Sequence, residues 1–356
     1  MYVAWRDLRF ARGRFALMGV VVVLMTLLVV LLSGLTAGLG RESTSAIADL
    51  SADHLAFSAP AAGEQVSFAD SSVDESQSRR WARVPGVERA EPVGIGTTEA
   101  VVGTATAAVS AFGVDPGSGL VPGRDDVAAG EVVLSTGAAE ALGAGPGDRV
   151  DAAGRTMSVA AVSGSDSFNH TPVMWTSLDD WRQLTRSDPG AATVIALTED
   201  GADLAHADAQ LGTATVGREA AFEAIGSYPS ENGSLQLMRL MLFGISALVV
   251  GAFFTVWTIQ RTGDIAVLKA LGASSAYLVG DALAQALVVL VGGTVLGAAA
   301  AAGIGALASG SVPFVLSTGS VVVPAVVMVL LGGLGAALSV RRVTSVDPLI
   351  ALGSAR

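Results

Sequence analysis

The stretch that decides the fold reads Arg261-Thr-Gly-Asp-Ile-Ala-Val-Leu-Lys-Ala-Leu-Gly-Ala-Ser-Ser-Ala-Tyr277. It lies between two apolar runs, Leu235–Gln260 and Tyr277–Ala308, and it contains Lys269, the only lysine in the chain. Charge returns here after a long apolar segment, so the chain leaves the bilayer and re-enters it within about 15 residues, which is room for one short helix. The pattern therefore predicts two membrane helices joined by a short helix that moves when they move.

The short segment 261–276 has the spacing of a helix with one apolar face. Ile265, Leu268 and Leu271 recur every three residues, while Asp264 and Lys269 fall elsewhere around the helix. A plain connector does not need an apolar face, so we expect these five residues to contact a cytoplasmic machine. The simpler alternative is that the segment only joins two helices.

Composition indicates membrane helices together with one sizeable aqueous domain. Of the 356 residues 51% are hydrophobic and 15% are charged, and the mean hydropathy is +0.58. The chain contains no cysteine, which excludes disulfides, thiolate metal sites and cysteine nucleophiles. The net charge is −11, and no basic patch occurs beyond arginines next to the apolar runs, so nucleic-acid binding is not expected.

The apolar runs predict four transmembrane helices in a 1+3 arrangement. The predicted segments are an amphipathic arm 1–14, transmembrane helix 15–39, an extracytoplasmic α+β domain 40–234, transmembrane helix 235–260, a coupling helix 261–276, transmembrane helix 277–308, an outer loop 309–320, transmembrane helix 321–340 and a tail 341–356. Basic residues in the arm, the coupling segment and the tail place both termini in the cytoplasm of a multi-pass plasma-membrane protein. A cleaved signal peptide is the weaker alternative for the first run, because the run is long and no typical cleavage site follows.

Short apolar alternations between glycines and prolines predict mixed strands and helices in the large domain. The predicted strands are 54–58, 87–93, 107–114, 131–134, 149–151, 156–163 and 193–197, and the predicted helices are 42–50, 74–84, 136–142, 178–185 and 218–224. This mixture favours an α+β domain inserted between the first and second transmembrane helices.

Four stretches in this order resemble one family of membrane proteins. They are Ala4-Trp-Arg-Asp-Leu-Arg9, Leu32-Ser-Gly-Leu-Thr-Ala-Gly-Leu39, the coupling segment, and Val346-Asp-Pro-Leu-Ile-Ala-Leu352. With the 1+3 layout, nearly the whole chain resembles the permeases of the MacB/FtsX-type (type VII) ABC transporters. The stretch Tyr228-Pro-Ser-Glu-Asn-Gly-Ser234 narrows the resemblance to the branch of haem-export (HrtB) and DevC permeases.

The chain has no phosphate-binding loop of the Gly-x-x-x-x-Gly-Lys-Ser/Thr type, so it has no site of its own for ATP hydrolysis. The resemblance implies a separate cytoplasmic ATPase subunit that binds ATP and Mg²⁺, in a complex of two permeases and two ATPases. It also implies mechanotransmission, in which closure of the ATPases moves the coupling helix and the outer domain. We therefore expect a non-catalytic permease subunit without a cofactor of its own.

The outer end of the second transmembrane helix carries the candidate substrate site. Arg239 lies inside the apolar run, where a charge is costly, and Glu231, Met238 and Met241 lie near it in sequence. Haem, a flat apolar ring with two carboxylates, is a fitting substrate, and Glu231 and Met238 are candidate ligands for its iron. The alternatives are that Arg239 reaches the headgroups, that the methionines only pack, and that Glu231 stabilises the helix start.

The remaining polar residues give weaker signals. His54, His170 and His206 are far apart in sequence and are predicted to be isolated surface histidines without metal spacing. Asp281 and Gln285 share a helix face near the cytoplasmic end of the third transmembrane helix, where an interfacial role is favoured over a proton path.

Three functions fit these patterns. The first is the permease of an ABC exporter for haem or a similar amphiphile. The second is an FtsX-like transducer that controls an outer cell-wall enzyme without transport. The third is a membrane-anchored sensor without an ATPase, which would tolerate charge reversal at Asp264 and Lys269.

Overall fold

The computed structural model describes residues 12–124, 126–260, 263, 267, 269, 271–308 and 312–344. Its elements, in chain order, are α1 Arg12–Ala48, β1 His54–Ser58, β2 Val73–Asp74, α2 Glu75–Trp81, β3 Val87–Val102, β4 Ala105–Val114, β5 Glu131–Leu134, α3 Thr136–Leu142, β6 Arg149–Ala152, β7 Arg155–Val162, β8 Ser167–Phe168, β9 Thr171–Ser177, α4 Leu178–Thr185, β10 Ala191–Ala192, β11 Val194–Glu199, α5 Leu204–Leu211, β12 Thr213–Gly217, α6 Tyr228–Gln260, α7 Ser275–Ala308 and α8 Thr318–Thr344. A 3₁₀ turn, Ala220–Ala224, precedes α6.

The chain forms two compact units, which we call the sheet unit and the helix unit. The sheet unit comprises Leu39–Gly233, and the helix unit comprises the segments before and after it. Within the described residues, α1, α6, α7 and α8 are long and apolar enough to cross a membrane. The 1+3 fold class with an inserted α+β domain is therefore confirmed.

The helices extend beyond the apolar runs that predict them. The first run ends at residue 39, but α1 continues to Ala48, because Ala46 and Ile47 are buried in the core of the sheet unit. The second run begins at residue 235, but α6 begins at Tyr228, because Tyr228 packs against the core of the sheet unit and Pro229 is tolerated in a first helical turn. The length of an apolar run reflects the thickness of the bilayer, whereas packing in the aqueous domain determines where the helices end. The starts of α7 and α8 precede the predicted 277 and 321 by only a few residues.

The sheet unit contains one large mixed sheet. Its strand order is β12-β1-β11-β3-β4-β9-β5-β7-β6, and the far end of β3 also pairs with β6. Six strands, from β3 through β4, β9, β5, β7 and β6, therefore form a closed ring. Closure removes the free edge that β6 would otherwise present, whereas β12 remains an edge strand at the other end of the sheet.

A pair of glycines lets α4 approach this sheet closely. Gly94 on β3 and Gly113 on β4 are direct cross-strand partners. A Cβ atom at either position would lie 2.2 or 2.3 Å from atoms of Trp181. The two glycines therefore form a slot for this buried indole, which the strand pattern alone does not reveal.

The helix unit packs through small residues. A Cβ atom at Gly297 of α7 would lie 2.5 Å from the carbonyl oxygen of Val23 on α1. The side chain of Phe314, in the segment that follows α7, lies against Gly34 of α1 and Gly305 of α7. Helices in lipid associate by such close backbone approach, since lipid supplies no hydrophobic force between them.

Candidate functional site

Glu231 lies in the first turn of α6 and contacts a histidine. Its Oε2 atom is 2.8 Å from Nε2 of His170, and the backbone N–H of Glu231 donates to the carbonyl of Ser227 at 3.1 Å. The Glu231 side chain remains 45% exposed, so it is accessible to a ligand. The histidine, which was predicted to be isolated, is therefore part of this site.

His170 occupies a two-residue turn between β8 and β9. Asn169 and His170 have φ angles of 49° and 63°, in the left-handed region. The flanking residues Phe168 and Thr171 pair directly across the hairpin. Two left-handed residues between paired strands form the tight turn that matches the twist of a hairpin, and asparagine is favoured in it. We call residues 167–170 the hairpin tip.

The hairpin tip is bonded to α1. The backbone N–H groups of Asn169 and His170 donate to the carbonyls of Ser43 and Glu42, at 3.0 and 3.2 Å. The Ser45 hydroxyl also accepts from the backbone N–H of Ser167 at 2.9 Å. These bonds hold the hairpin tip on the last turns of α1, which are continuous with the first transmembrane helix.

The same hairpin tip is bonded to the start of α6. The Ser227 hydroxyl donates to Oδ1 of Asn169 at 3.0 Å, beside the contact between His170 and Glu231. On the other side of the imidazole, Nδ1 lies 3.7 Å from Oε2 of Glu42. The hairpin tip thus bridges α1 and α6 within the sheet unit.

The other predicted site residues on α6 belong to the helix unit. Met238 and Met241 are 49% and 60% exposed, and they lie in an apolar surface that also includes Leu237 and Leu240. Arg239 is partly buried, and its guanidinium donates to Oε1 of Gln236 on the preceding turn. One cation therefore lies within an exposed apolar surface.

Only part of the predicted coupling helix lies within the described residues. Asp264, Ile265 and Leu268 lie outside them, while Lys269 and Leu271 lie within. Leu271 is strongly exposed, and its backbone N–H donates to the carbonyl of Val267 at 3.0 Å. Gly272 follows with φ of 93°, as expected where a helical turn ends.

The other two histidines lie outside this site. His54 lies 3.7 Å from Glu199, and His206 is hydrogen-bonded to Gln210. Among the residues that the structure describes, no group of three or more histidine, aspartate or glutamate side chains is arranged to hold a metal ion. Asp281 accepts a hydrogen bond of 2.9 Å from Gln285, one turn along α7.

Comparison with known proteins identifies the family. The model of the MacB-like periplasmic core domain matches residues 15–214, and that of the FtsX-like permease C-terminal domain matches residues 237–348. A Staphylococcus haemolyticus protein, whose name assigns it to a hemin transport system as the permease HrtB, is 26% identical over 99% of both chains. An uncharacterized ABC transporter permease of Mycobacterium bovis is also 26% identical over 99% of both chains.

Among solved structures, the chain is similar to the extracellular domain of the noncanonic ABC-type transporter YknZ from Gram-positive bacteria. The match covers 46% of this chain and 98% of that domain. The TM-score is 0.36 and the identity 13%. The two family models together span most of the chain, in the order that the 1+3 layout requires. The chain therefore belongs to the MacB/FtsX-type ABC transporter permeases, with four membrane-spanning helices and a large extracytoplasmic α+β domain between the first and the second.

Proposed function

We propose that this permease exports haem or a similar anionic amphiphile from the membrane, using ATP hydrolysis by a separate cytoplasmic subunit. The proposed complex contains two permeases and two ATPases, with both termini of each permease in the cytoplasm. The name of the Staphylococcus haemolyticus relative supports the substrate class. The observation that carries the proposal is Arg239 within the exposed apolar surface of α6.

This surface suits haem on chemical grounds. Met238 and Met241 present apolar, polarizable side chains that can lie against a flat ring. The guanidinium of Arg239 can pair with a propionate of haem, and such a charge-assisted hydrogen bond is strong where water is scarce. A carboxylate and a thioether are both able to bind iron, so Glu231 and Met238 are the proposed ligands.

Continuous helices support transmission of movement along the chain. α1 and α6 each run without interruption from the helix unit into the sheet unit. A helix is stiff along its axis, so a push at the cytoplasmic end is transmitted to the other end. We propose that the push is received by Asp264, Ile265, Leu268, Lys269 and Leu271. The resulting movement of the sheet unit then drives export.

A haem titration tests the substrate. The purified full-length protein in detergent micelles is titrated with haem while the Soret band is followed, beside Met238→Ala, Glu231→Ala and Arg239→Gln. Leu248→Ala is the matched control, because Leu248 is exposed on the same helix but lies outside this surface. We expect saturable binding that weakens at least tenfold in these three variants and is unchanged in the control.

The outcome of the haem titration distinguishes the candidate functions. Saturable binding that is equal in all variants would keep haem and reject the proposed ligands. Binding no greater than that of empty micelles would reject haem, and ATPase-dependent control of an outer cell-wall enzyme would then become the function to measure. Charge reversal at Asp264 and Lys269 that leaves ATP-driven export intact would reject the coupling role.

A further inference from the structure

An open cavity lies on the sheet unit between α2 and α5. Its volume is about 560 Å³, which is within the range of small-molecule sites in proteins. Its lining combines three nitrogen-bearing side chains, those of Arg80, Arg83 and His206, with apolar groups. None of these residues belongs to the surface of α6 described above, so the proposed function leaves this cavity unexplained.

Hydrogen bonds hold the two walls of the cavity together. The side-chain amide of Gln77, on α2, donates to the carbonyl of Leu211, at the end of α5, at 2.9 Å. Where the chain leaves α2, the carbonyl of Gly86 accepts from the backbone N–H of Asp200 at 2.7 Å. The cavity is therefore formed before any ligand arrives, and binding requires little reorganisation of its walls.

Two arginines give the cavity positive charge that the fold does not neutralise. Arg80 and Arg83 are exposed, and neither forms an ion pair within the part of the chain that the structure describes. Nε of Arg80 donates to the carbonyl of Ser76 at 3.3 Å, which leaves the rest of its guanidinium available. The carboxylate of Asp203 also lines the cavity, but it accepts the backbone N–H of His206 at 3.1 Å, at the start of α5. The pair of guanidinium groups suits a ligand that carries carboxylates.

His206 adds a nitrogen that can bind a metal. Its Nε2 atom lies 2.8 Å from Nε2 of Gln210, one turn along α5. An amide nitrogen can only donate, so the ring nitrogen accepts and carries the lone pair that a metal would use. Both side chains are exposed, so an incoming ligand can replace this hydrogen bond at little cost.

Apolar side chains lie among these polar groups. Val84 and Leu211 are partly buried and Ala207 is buried, and all three line the cavity. Haem is a flat apolar ring with two carboxylates and an iron that accepts a nitrogen ligand. The apolar lining, the two guanidinium groups and the imidazole each match one of these three features.

We propose that this cavity is a second haem site, in which His206 binds the iron and Arg80 and Arg83 pair with the two carboxylates. The neutral ring gives its Nε2 lone pair to the iron and keeps its proton on Nδ1, so binding needs no oxidant, reductant or proton transfer. The identity of the ligand rests on the proposed function, whereas the site shares no residue with α6. Such a site on the extracytoplasmic domain would shield part of an expelled apolar ring from water.

Two ligands separate the role of the histidine from that of the arginines. The full-length protein in detergent micelles is titrated with haem and with protoporphyrin IX, which has the same ring and carboxylates but no iron. The open cavity should bind haem more weakly than the surface of α6, so we expect two steps and two haem molecules per chain. His206→Ala should weaken the second step at least about tenfold for haem and leave protoporphyrin IX unchanged. Arg80→Gln combined with Arg83→Gln should weaken both ligands about fivefold or more.

Three further variants serve as controls. His54→Ala removes a histidine of β1, and Arg149→Ala removes an exposed arginine of β6. Both positions lie outside the cavity, so these variants should bind both ligands as the parent does. Met238→Ala should weaken the first step and leave the step that depends on His206 unchanged.

The same titrations can overturn the inference. A His206→Ala variant that keeps the stoichiometry and affinity of the parent would reject the second site, even where Met238→Ala weakens the first step and the proposed function stands. Equal weakening of haem and protoporphyrin IX by His206→Ala would reject iron binding by this histidine. Haem binding that is reduced by His206→Ala but unchanged in Met238→Ala, Glu231→Ala and Arg239→Gln would support the cavity and reject the ligands proposed on α6.

Discussion

Gly94 and Gly113 of the sheet unit serve a different purpose from Gly297 and Gly335 of the helix unit. In the sheet unit, Gly94 and Gly113 open a slot that admits a large indole, so the glycines permit apolar burial. In the helix unit, Gly297 and Gly335 bring one helix backbone against another, without a large side chain between them. Burial of apolar surface from water stabilises the first unit, whereas contact between helices stabilises the second, because lipid is already apolar.

The largest loss of stability should follow from removing the indole that fills the glycine slot of the sheet unit. Trp181→Ala removes a buried indole that lies against Gly94 and Gly113, and we expect a loss of about 3–5 kcal/mol in the free energy of unfolding. The measurement is chemical denaturation of the purified full-length chain. Gln183→Ala, at an exposed position of the same helix, is the control and should change little. Equal stability of both variants would mean that the slot does not matter to the sheet unit.

An ion pair between the buried Asp180 and the partly exposed Arg155 gives the next largest loss of stability in the same unit. Asp180 is buried and accepts hydrogen bonds from Arg155 at 2.7 Å, the Ser177 hydroxyl at 2.8 Å and the backbone N–H of Gly130 at 2.6 Å. Arg155→Ala leaves the carboxylate with neutral donors only, and we expect a loss of about 2–3 kcal/mol by the same denaturation. The exposed Arg149→Ala should stay within about 0.5 kcal/mol, and a similar loss in both would contradict the assignment.

Close packing in the helix unit predicts a contrast within one helix. Gly297→Ala places a methyl group against the backbone of α1, and we expect a loss of about 1–3 kcal/mol. Gly303→Ala, on the same helix, meets no atom within 4 Å and should be neutral or slightly stabilising. Heating both variants in detergent and following monodispersity separates them. If the order is reversed, backbone contact is not what holds α1 to α7.

The smallest loss of stability is expected when a helix cap in the sheet unit is removed. Asp74 is the N-cap residue of α2 and accepts a hydrogen bond from the backbone N–H of Gln77 at 2.9 Å. Hydrogen bonding from Ser76, and then from Gln77, holds the pKa of Asp74 below its usual value. The cap therefore stabilises the folded state above the unfolded pKa, near 3.8, and this contribution is lost as the pH falls through the folded pKa.

Asp74→Ala should accordingly cost about 1 kcal/mol at pH 7 and less at pH 3, which lies below the unfolded pKa. Denaturation at both pH values measures the difference, with the exposed Asp70→Ala as the control. A cost that does not change with pH would mean that the carboxylate charge does not contribute to the cap.

Turn and cap residues in the sequence predicted some elements of the sheet unit correctly but not others. The strand 54–58 and the helices 136–142 and 178–185 have the predicted bounds, since turn residues and serine caps delimit them. β9, at the centre of the sheet, is absent from the predicted strands, and Pro172 near its start argues against a strand there. The proline is harmless there, because it pairs only with β8 and the ladders with β4 and β5 begin beyond it.

Sequence by itself determined the four membrane-spanning helices, the place of the inserted domain and the family, because apolar length, charge and short motifs are local properties. The closure of six strands into a ring and the position of His170 between Glu42 and Glu231 become visible only in the folded chain. Those contacts join residues up to about 130 positions apart, and their geometry depends on strand register and helix extension, which local patterns do not specify.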